Sequence, residues 1–337
     1  MLGTRLSILD QSPIPSNRTA TDALQATLEL AQAAERWGYH RYWLAEHHGL
    51  LGLADPSPEI LLTRIAGLTE KIRVGTGGIM LPYYSPFKIA EQFRMLCALF
   101  PDRIDLGVGR APGGDRLTAQ AMSGGSYNSA DDFPQQVFDM VSYLDGTVPE
   151  NHPFARVTVQ PKIDHAPEVW ILGSSDFGGA LAAHLGLRFT FAHFINAHGG
   201  DQVARAYREQ FRASPREAKP YSMVAVFVIC ADTDAEAEAT ASSMDLRRLQ
   251  MDYGLNTPIP TREEALAREY SSEEKARMQF HRARSVIGTP DIVAARLKEI
   301  QAQFAADELM IITVTGDYPS RLRSYELLAQ AAADGLM

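Results

Sequence analysis

Two adjacent histidines follow an acidic residue in the stretch Ala45-Glu46-His47-His48, where an apolar run ends. An imidazole titrates near neutral pH and is therefore suited to proton transfer in catalysis. Successive side chains of a strand point to opposite faces, so we expect only one of these two histidines to reach an active site. The other one then braces the neighbouring loop or helix.

A pair of glycines, Gly77 and Gly78, lies inside an otherwise apolar run at 73–79. Glycine costs stability in a strand interior and usually marks a bulge or a place where a ligand approaches the backbone closely. A flat aromatic ligand lying against the bare backbone explains this pair. Relief of crowding inside a barrel explains it as well.

A guanidinium and a pair of hydroxyls follow two further apolar runs. Arg110 ends a glycine-flanked turn, and Ser174 and Ser175 lead directly into a helical pattern together with Gly178. The first backbone N–H groups of a helix have no partner within it and favour anions. Arg110 and this turn together can cradle a phosphate. Gly288-Thr289-Pro290 is a rival cradle, which we interpret as the cap of a helix.

Eight β-rich runs alternate with amphipathic helical patterns, an order typical of parallel strands joined by crossover helices. This pattern predicts an α/β fold, a closed (β/α)₈ TIM barrel that forms a single domain over residues 1–337. Because active sites of such barrels lie at the carboxyl ends of the strands, the candidate residues should gather at one rim. The predicted strands cover 6–10, 41–46, 73–79, 104–109, 169–173, 189–192, 223–230 and 308–313.

Helical patterns at 24–37, 87–99 and 291–304 fit the intervening helices, and Thr289-Pro290 opens the last of them. Two segments break the alternation and are predicted as insertions after strands 4 and 7. The first, 111–132, is rich in Gly, Ser, Asn and Asp; the second, 256–284, combines prolines with dense charge. Each is either a lid over the active site or a solvated insertion without a role.

Composition excludes several classes of partner. The 337-residue chain carries a net charge of −9 and has no concentrated basic stripe, so we expect no nucleic-acid or anionic-membrane binding. No apolar run reaches the roughly 18 to 20 residues that cross a bilayer. The first residues lack the features of a signal peptide, so we expect a cytoplasmic protein.

Common catalytic motifs offer little support for other enzyme classes. The chain has no dinucleotide-binding fingerprint after its first strand, no Walker sequence and no Gly-x-Ser-x-Gly elbow. A metal-dependent barrel hydrolase remains an alternative, with Asp10, His47, His48 and His193 as ligands. Side chains of adjacent residues on a strand diverge, which weakens that ligand set. We therefore expect no metal site.

Taken together, these motifs resemble the bacterial luciferase-like, flavin-dependent monooxygenase superfamily, and the similarity covers residues 6–315. The resemblance implies the same barrel and FMN as the cofactor. Members commonly hold a non-proline cis peptide beneath the flavin ring, and Gly77-Gly78 matches that place. Arg110 matches the phosphate-binding arginine, and Ser174, Ser175 and Gly178 match the phosphate-binding turn. His47 matches the active-site histidine.

The same resemblance implies a reaction. Reduced FMN, in many members supplied by a separate flavin reductase, reacts with O₂ to give a C4a-peroxyflavin that oxygenates a small organic substrate. Members often form dimers, so a homodimer is also expected. Two alternatives stay within the same barrel: an oxidoreductase that uses the deazaflavin F420, and a flavin-binding protein without turnover. Luciferases proper place an aromatic residue near the flavin around strand 6, where this chain reads Phe191-Ala192-His193-Phe194. The sequence leaves open which of these side chains reaches the ring.

Overall fold

Eight parallel strands close into a barrel in the computed structural model, which describes residues 4–111, 113–123 and 130–337. Along the barrel wall the order is β1-β2-β3-β4-β5-β6-β7-β9, and β9 pairs with β1. The predicted (β/α)₈ barrel is confirmed. Within the described residues the strands are β1 Arg5–Asp10, β2 Arg41–Leu44, β3 Arg73–Met80, β4 Ile104–Gly109, β5 Glu168–Gly173, β6 Arg188–Ala192, β7 Ser222–Cys230, β8 Ser285–Gly288 and β9 Glu308–Ile312.

The ninth strand, β8, was not predicted from the sequence. It pairs in parallel with residues 227–230 of β7, beyond the residues of β7 that pair with β6 and overlapping the β9 pairing only at Phe227. It therefore extends the sheet above the barrel on the side of β6 and β7. The rim is taller there than elsewhere.

Helices surround the barrel. The first begins at a capping box between Thr19 and Asp22, and Gly38 follows its end with a φ of 82°, the left-handed conformation that glycine adopts at low cost. The helices of the described residues are α1 Ala20–Arg36, α2 Pro58–Ala66, α3 Pro86–Leu99, α4 Arg116–Met122, α5 Phe133–Asp145, α6 Asp176–Leu185, α7 Gly200–Gln210, α8 Asp234–Asp252, α9 Arg262–Leu266, α10 Ser272–Arg282, α11 Pro290–Phe304 and α12 Tyr318–Ala333. None of them is both long enough and apolar enough to cross a bilayer.

The two segments predicted as insertions contain helices. Residues 111–132 include α4, while 112 and 124–129 lie outside the described residues. Residues 256–284 include α9 and α10, each of which begins at a capping box, Thr261 with Glu264 and Ser271 with Glu274. A lid role for either segment stays a prediction.

A buried ion-pair network fills the amino-terminal end of the barrel, opposite the rim where the candidate residues lie. Arg41 contacts Asp105 at 2.9 Å, Glu168 at 2.6 Å and Glu308 at 3.1 Å. Burial alone would raise the pKa of Asp105, but Arg41 and Arg73 outweigh it and lower that pKa. Asp105 therefore depends on these two arginines to stay charged.

Replacing Arg41 with methionine is expected to reduce the free energy of unfolding by about 3–5 kcal/mol, because buried carboxylates lose their partner. Urea denaturation followed by circular dichroism measures the change. The matched control is Arg64→Met on the exposed side of α2, for which we expect a change within about 0.5 kcal/mol. Equal stability of the two variants would contradict this account of the network.

Candidate active site

Glu46 ties together the carboxyl ends of β2 and β3. Its buried carboxylate accepts hydrogen bonds from the Met80 backbone N–H at 2.8 Å and the Tyr84 hydroxyl at 2.6 Å. The Nε2 atom of His48 lies 2.7 Å from the same carboxylate. His48 is thus the histidine that braces the surrounding loops, as expected for one of the pair.

His47 is held through its backbone, and one nitrogen of its ring has no partner among the described residues. Its N–H donates to the Asp55 carbonyl at 3.1 Å, and its buried Nδ1 has no hydrogen-bond partner among the described residues. Burial, with a smaller contribution from His48, lowers the pKa of His47 to about 4. The half-buried imidazole is therefore neutral at pH 7 and able to accept a proton.

Gly77 and Gly78 line the inside of the barrel at the end of β3. Gly77 pairs with Gly107 and Ile79 with Val108, so Gly78 is the extra residue of a bulge, and the peptide bond between the two glycines is cis, as the resemblance implies. A Cβ atom on Gly77 would lie 2.6 Å from Leu9 Cδ1, and one on Gly78 would lie 2.2 Å from Leu172 Cδ1. Crowding thus requires both glycines. Both nevertheless remain partly exposed, so a ligand can reach their backbone.

Arg110 and the opening turn of α6 come together at the neighbouring strand ends. The Arg110 Cζ atom lies 4.1 Å from the centre of the Phe177 ring, and Phe177 is the second residue of α6. Ser175 precedes the helix but its hydroxyl makes no capping hydrogen bond. Among the described residues, no carboxylate pairs with the exposed Arg110. A cation, free hydroxyls and helix N–H groups therefore share one place.

Gly178 contributes close packing to this turn. A Cβ atom at Gly178 would lie 3.3 Å from the Cα of Gly173, the last residue of β5. The opening turn of α6 thereby approaches the end of the strand. The Ser174 carbonyl accepts a hydrogen bond from Asn196 Nδ2 at 3.2 Å, which joins this turn to the loop after β6.

The residues after strand 6 divide between two faces of the barrel wall. Phe191 and His193 pack against Phe304 of α11, with ring centres 5.4 and 5.9 Å apart, and so lie on the outside. Phe194 instead packs against the apolar cluster inside the barrel. The aromatic side chain on the inner face is thus Phe194, and His193 does not reach the site.

The ligand set of the metal-hydrolase alternative is dispersed. Asp10 is buried outside the barrel, where its carboxylate accepts hydrogen bonds from Thr27, Tyr42 and Arg321. His48 is bound to Glu46, and His193 packs on the outer face. The residues that the structure describes contain no group of three or more His, Cys, Asp or Glu side chains that could share a metal ion.

His193 offers a test of the electrostatics that does not involve the site. Burial lowers the pKa of His193 to about 4, below the unfolded value of about 6.5. The unfolded chain therefore binds more protons between pH 4 and 6.5, so this histidine lowers stability as the pH falls through that interval. Between pH 7 and 4.5 the free energy of unfolding should therefore fall less in His193→Phe than in the wild type, by on the order of 2 kcal/mol. Urea denaturation of both proteins across this range measures it, and parallel stability profiles would contradict the assignment.

Comparison with known proteins identifies the family to which this chain is similar. The model of the family described as Luciferase-like monooxygenase matches residues 4–307. A Bacillus subtilis protein named YceB is 44% identical and covers 96% of this chain and 98% of its own length. The N-acetyl-S-alkylcysteine monooxygenase of Bacillus subtilis is 36% identical, and the match covers 97% of this chain and 98% of that protein. The solved structure of apo-MsnO8 is 38% identical with a TM-score of 0.91 and 98% coverage of both chains.

Two more distant structures share the fold. The oxygenating constituent of 3,6-diketocamphane monooxygenase from Pseudomonas putida, solved with FMN, has a TM-score of 0.70 at 17% identity and covers 99% of each chain. An F420-dependent secondary alcohol dehydrogenase in complex with an F420-acetone adduct has a TM-score of 0.66 at 15% identity. The match covers 98% of this chain and 99% of the dehydrogenase. The same barrel therefore occurs with both kinds of flavin.

Proposed function

From the premise that this chain belongs to the luciferase-like monooxygenase family, we propose that it is an FMN-dependent monooxygenase that uses O₂ to oxygenate a small organic substrate. The proposal includes the oxygen-transfer route that the resemblance implies and a separate flavin reductase that supplies the reduced cofactor. It also treats the chain as one barrel domain.

The observation that carries the proposal is the position of Arg110. Its guanidinium lies on Phe177 at the opening turn of α6 and has no carboxylate partner among the described residues. An arginine beside unpaired helix N–H groups suits the doubly charged phosphate of FMN. Ser174 and Ser175 would add hydroxyl donors, and Gly178 would let the helix approach closely enough for its N–H groups to take part.

The backbone of Gly77 and Gly78 suits the other end of the cofactor. Side chains at both positions would collide with Leu9 and Leu172, yet their backbone is partly exposed inside the barrel. Ala192 and Ala225 are paired inward positions across β6 and β7, and they add little bulk. A planar ring system can lie against such a surface. The fit of both ends supports FMN.

When bound, reduced FMN would supply the electrons that activate O₂. His47 is neutral at pH 7 and would accept or return a proton at Nε2 of its imidazole ring. Phe194 would limit the access of water from the side of β6. Glu46 would fix the loops that position both histidines.

Titration of the purified protein with FMN, FAD and F420, each oxidised and reduced, tests the cofactor assignment. We expect reduced FMN to bind most tightly. Preference for F420 would contradict the proposal and favour the deazaflavin-dependent alternative. Binding of FMN without coupled consumption of O₂ and an organic substrate would favour a flavin-binding protein without turnover.

A further inference from the structure

Two arginines near the rim have only uncharged hydrogen-bond acceptors. Arg248 on α8 donates to the His281 carbonyl at 3.3 Å and to the Ser285 hydroxyl at 3.0 Å. Arg284, which immediately precedes β8, donates to the Ile195 carbonyl at 2.9 Å and contacts His281 Nδ1 at 2.7 Å. Neither pairs with a carboxylate in the part of the chain that the structure describes. The buried Nε of Arg284 has no partner there either.

Arg248 borders the inner face of the barrel on the side of β6 and β7, and the charge of Arg284 lies near it. The Cζ atom of Arg248 lies 4.8 Å from the centre of the Phe227 ring, and Phe227 belongs to the apolar cluster inside the barrel. Ser285 pairs with Phe227 across β7 and β8, and paired residues of parallel strands share a face. Arg284 holds the carbonyl of Ile195, the residue after Phe194. The two guanidiniums therefore stand where the rim is raised by β8.

Carboxylates near these arginines form their ion pairs with other cations. Asp245 pairs with Arg282 at 2.6 Å, and Glu238 pairs with the same arginine. Asp252 pairs with Arg277 at 2.8 Å and with His281 at 2.7 Å. Burial lowers the pKa of Arg248 to about 10; the neighbouring charge of Arg284 acts in the same direction, and the charge of Asp245 opposes both. Arg248 and Arg284 are thus left without a carboxylate in direct contact among the described residues.

We propose that Arg248 and Arg284 bind the anionic group of the organic substrate, so that the preferred substrates of this enzyme are organic acids such as carboxylates. The inference rests on the proposed function, because it assigns the substrate class of the same site. This site is separate from the phosphate cradle. Arg110 follows β4, and β5 and β6 lie between β4 and β7 in the barrel wall. In the loop after β6, Ile195 accepts from Arg284 and the adjacent Asn196 donates to Ser174.

The arrangement discriminates against neutral analogues. A bound carboxylate would compensate two cations that burial and mutual repulsion disfavour, whereas an amide of the same shape would leave both uncompensated. The apolar part of an acid can then lie against Phe194 and Phe227 on the inner face. Charge-assisted hydrogen bonds of this kind predict a preference of about tenfold to 100-fold for an acid over its amide.

A panel of linear and aryl carboxylates, each paired with its primary amide, tests the proposal by calorimetric or ligand-observed NMR titration of the purified protein. The proteins compared are the wild type, Arg248→Met, Arg284→Met and the corresponding lysine variants, with Arg64→Met as the control. We expect carboxylates to bind the wild type and Arg64→Met more tightly than their amides. The methionine variants should lose this preference, and the lysine variants should keep part of it, because a lysine retains charge but not the fork of donors.

FMN affinity, measured in parallel, separates this inference from the proposed function. Unchanged FMN binding by the methionine variants, with loss of the carboxylate preference, supports both. Failure of every protein to bind FMN overturns the proposed function, whatever the acids do. Equal binding of acids and amides by the wild type, or a preference that survives in both methionine variants, overturns the assignment of Arg248 and Arg284. Urea denaturation midpoints identify any methionine variant that has lost its fold. The acid preference of the lysine variant at the same position then tests the assignment of that arginine.

Discussion

Replacing His47 with alanine is expected to lower coupled substrate oxidation by about 100-fold or more while FMN still binds. General acid and base groups typically contribute about 10²-fold to 10⁴-fold to a rate. His47 suits this role because its pKa of about 4 keeps it neutral at pH 7 and its Nδ1 has no partner among the described residues. Without the imidazole, reduced flavin should still consume O₂, but more of the oxygen should leave as hydrogen peroxide.

Oxygen uptake, product formation and peroxide release, measured together, check this prediction. His193→Phe is the matched control, because that histidine has the same lowered pKa but packs against Phe304 on the outside of the barrel. We expect the control to retain coupled oxidation. Normal coupling in His47→Ala would remove the proton-transfer role assigned to His47.

Replacing Arg110 with alanine is expected to weaken FMN binding by about tenfold to 100-fold, because charge-assisted hydrogen bonds worth roughly 1.5–3 kcal/mol are lost. Riboflavin, which has the same ring system but no phosphate, is the matched ligand. Its affinity should change little. Fluorescence titration with both flavins measures the two affinities. The FMN affinity of Arg110→Lys should fall between those of the wild type and Arg110→Ala, because lysine keeps the charge without the planar fork of donors.

An Arg110→Ala protein with wild-type affinity for FMN would exclude this arginine from the phosphate site. Equal losses for FMN and riboflavin would show that the substitution disturbs the ring site or the fold instead. The contact between Arg110 and Phe177 makes this control necessary, because its loss can shift the opening turn of α6.

The barrel and its rim were predictable because β-rich runs and helical patterns alternate regularly along the chain. The ends of the strands were less certain. Strand 2 was predicted to reach residue 46 but ends at Leu44. Ala45 still donates to the carbonyl of Asp10 at the end of β1, whereas His47 donates to the carbonyl of Asp55 in the loop before α2. A partner in a distant loop leaves no periodic signal in the sequence.

For residues at or just beyond a strand end, the sequence does not predict whether the side chain lies on the inner or the outer face of the barrel. Asp10 ends β1 and His193 follows β6, so both looked like members of the site, yet both lie on the outer face of the barrel. A shift of one residue exchanges the two faces of a strand. For the same reason Phe194 lies on the inner face, although it is only one position from His193.

Some further features of the structure have a signal in the sequence. Two pairs, Thr261 with Glu264 and Ser271 with Glu274, match the capping-box pattern and would have predicted α9 and α10 within the segment 256–284. Arg248 and Arg284 lie in sequence among other charged residues and resemble part of a solvated face. Only the coordinates show that their neighbours Asp245 and Asp252 pair with other cations.

A crystal structure of the protein with FMN tests the central claim most directly. We predict the phosphate against Arg110 and the opening turn of α6, the flavin ring against the backbone of Gly77 and Gly78, and His47 beside the ring. FMN bound elsewhere, or bound with its phosphate away from Arg110 and its ring away from Gly77 and Gly78, would contradict the account.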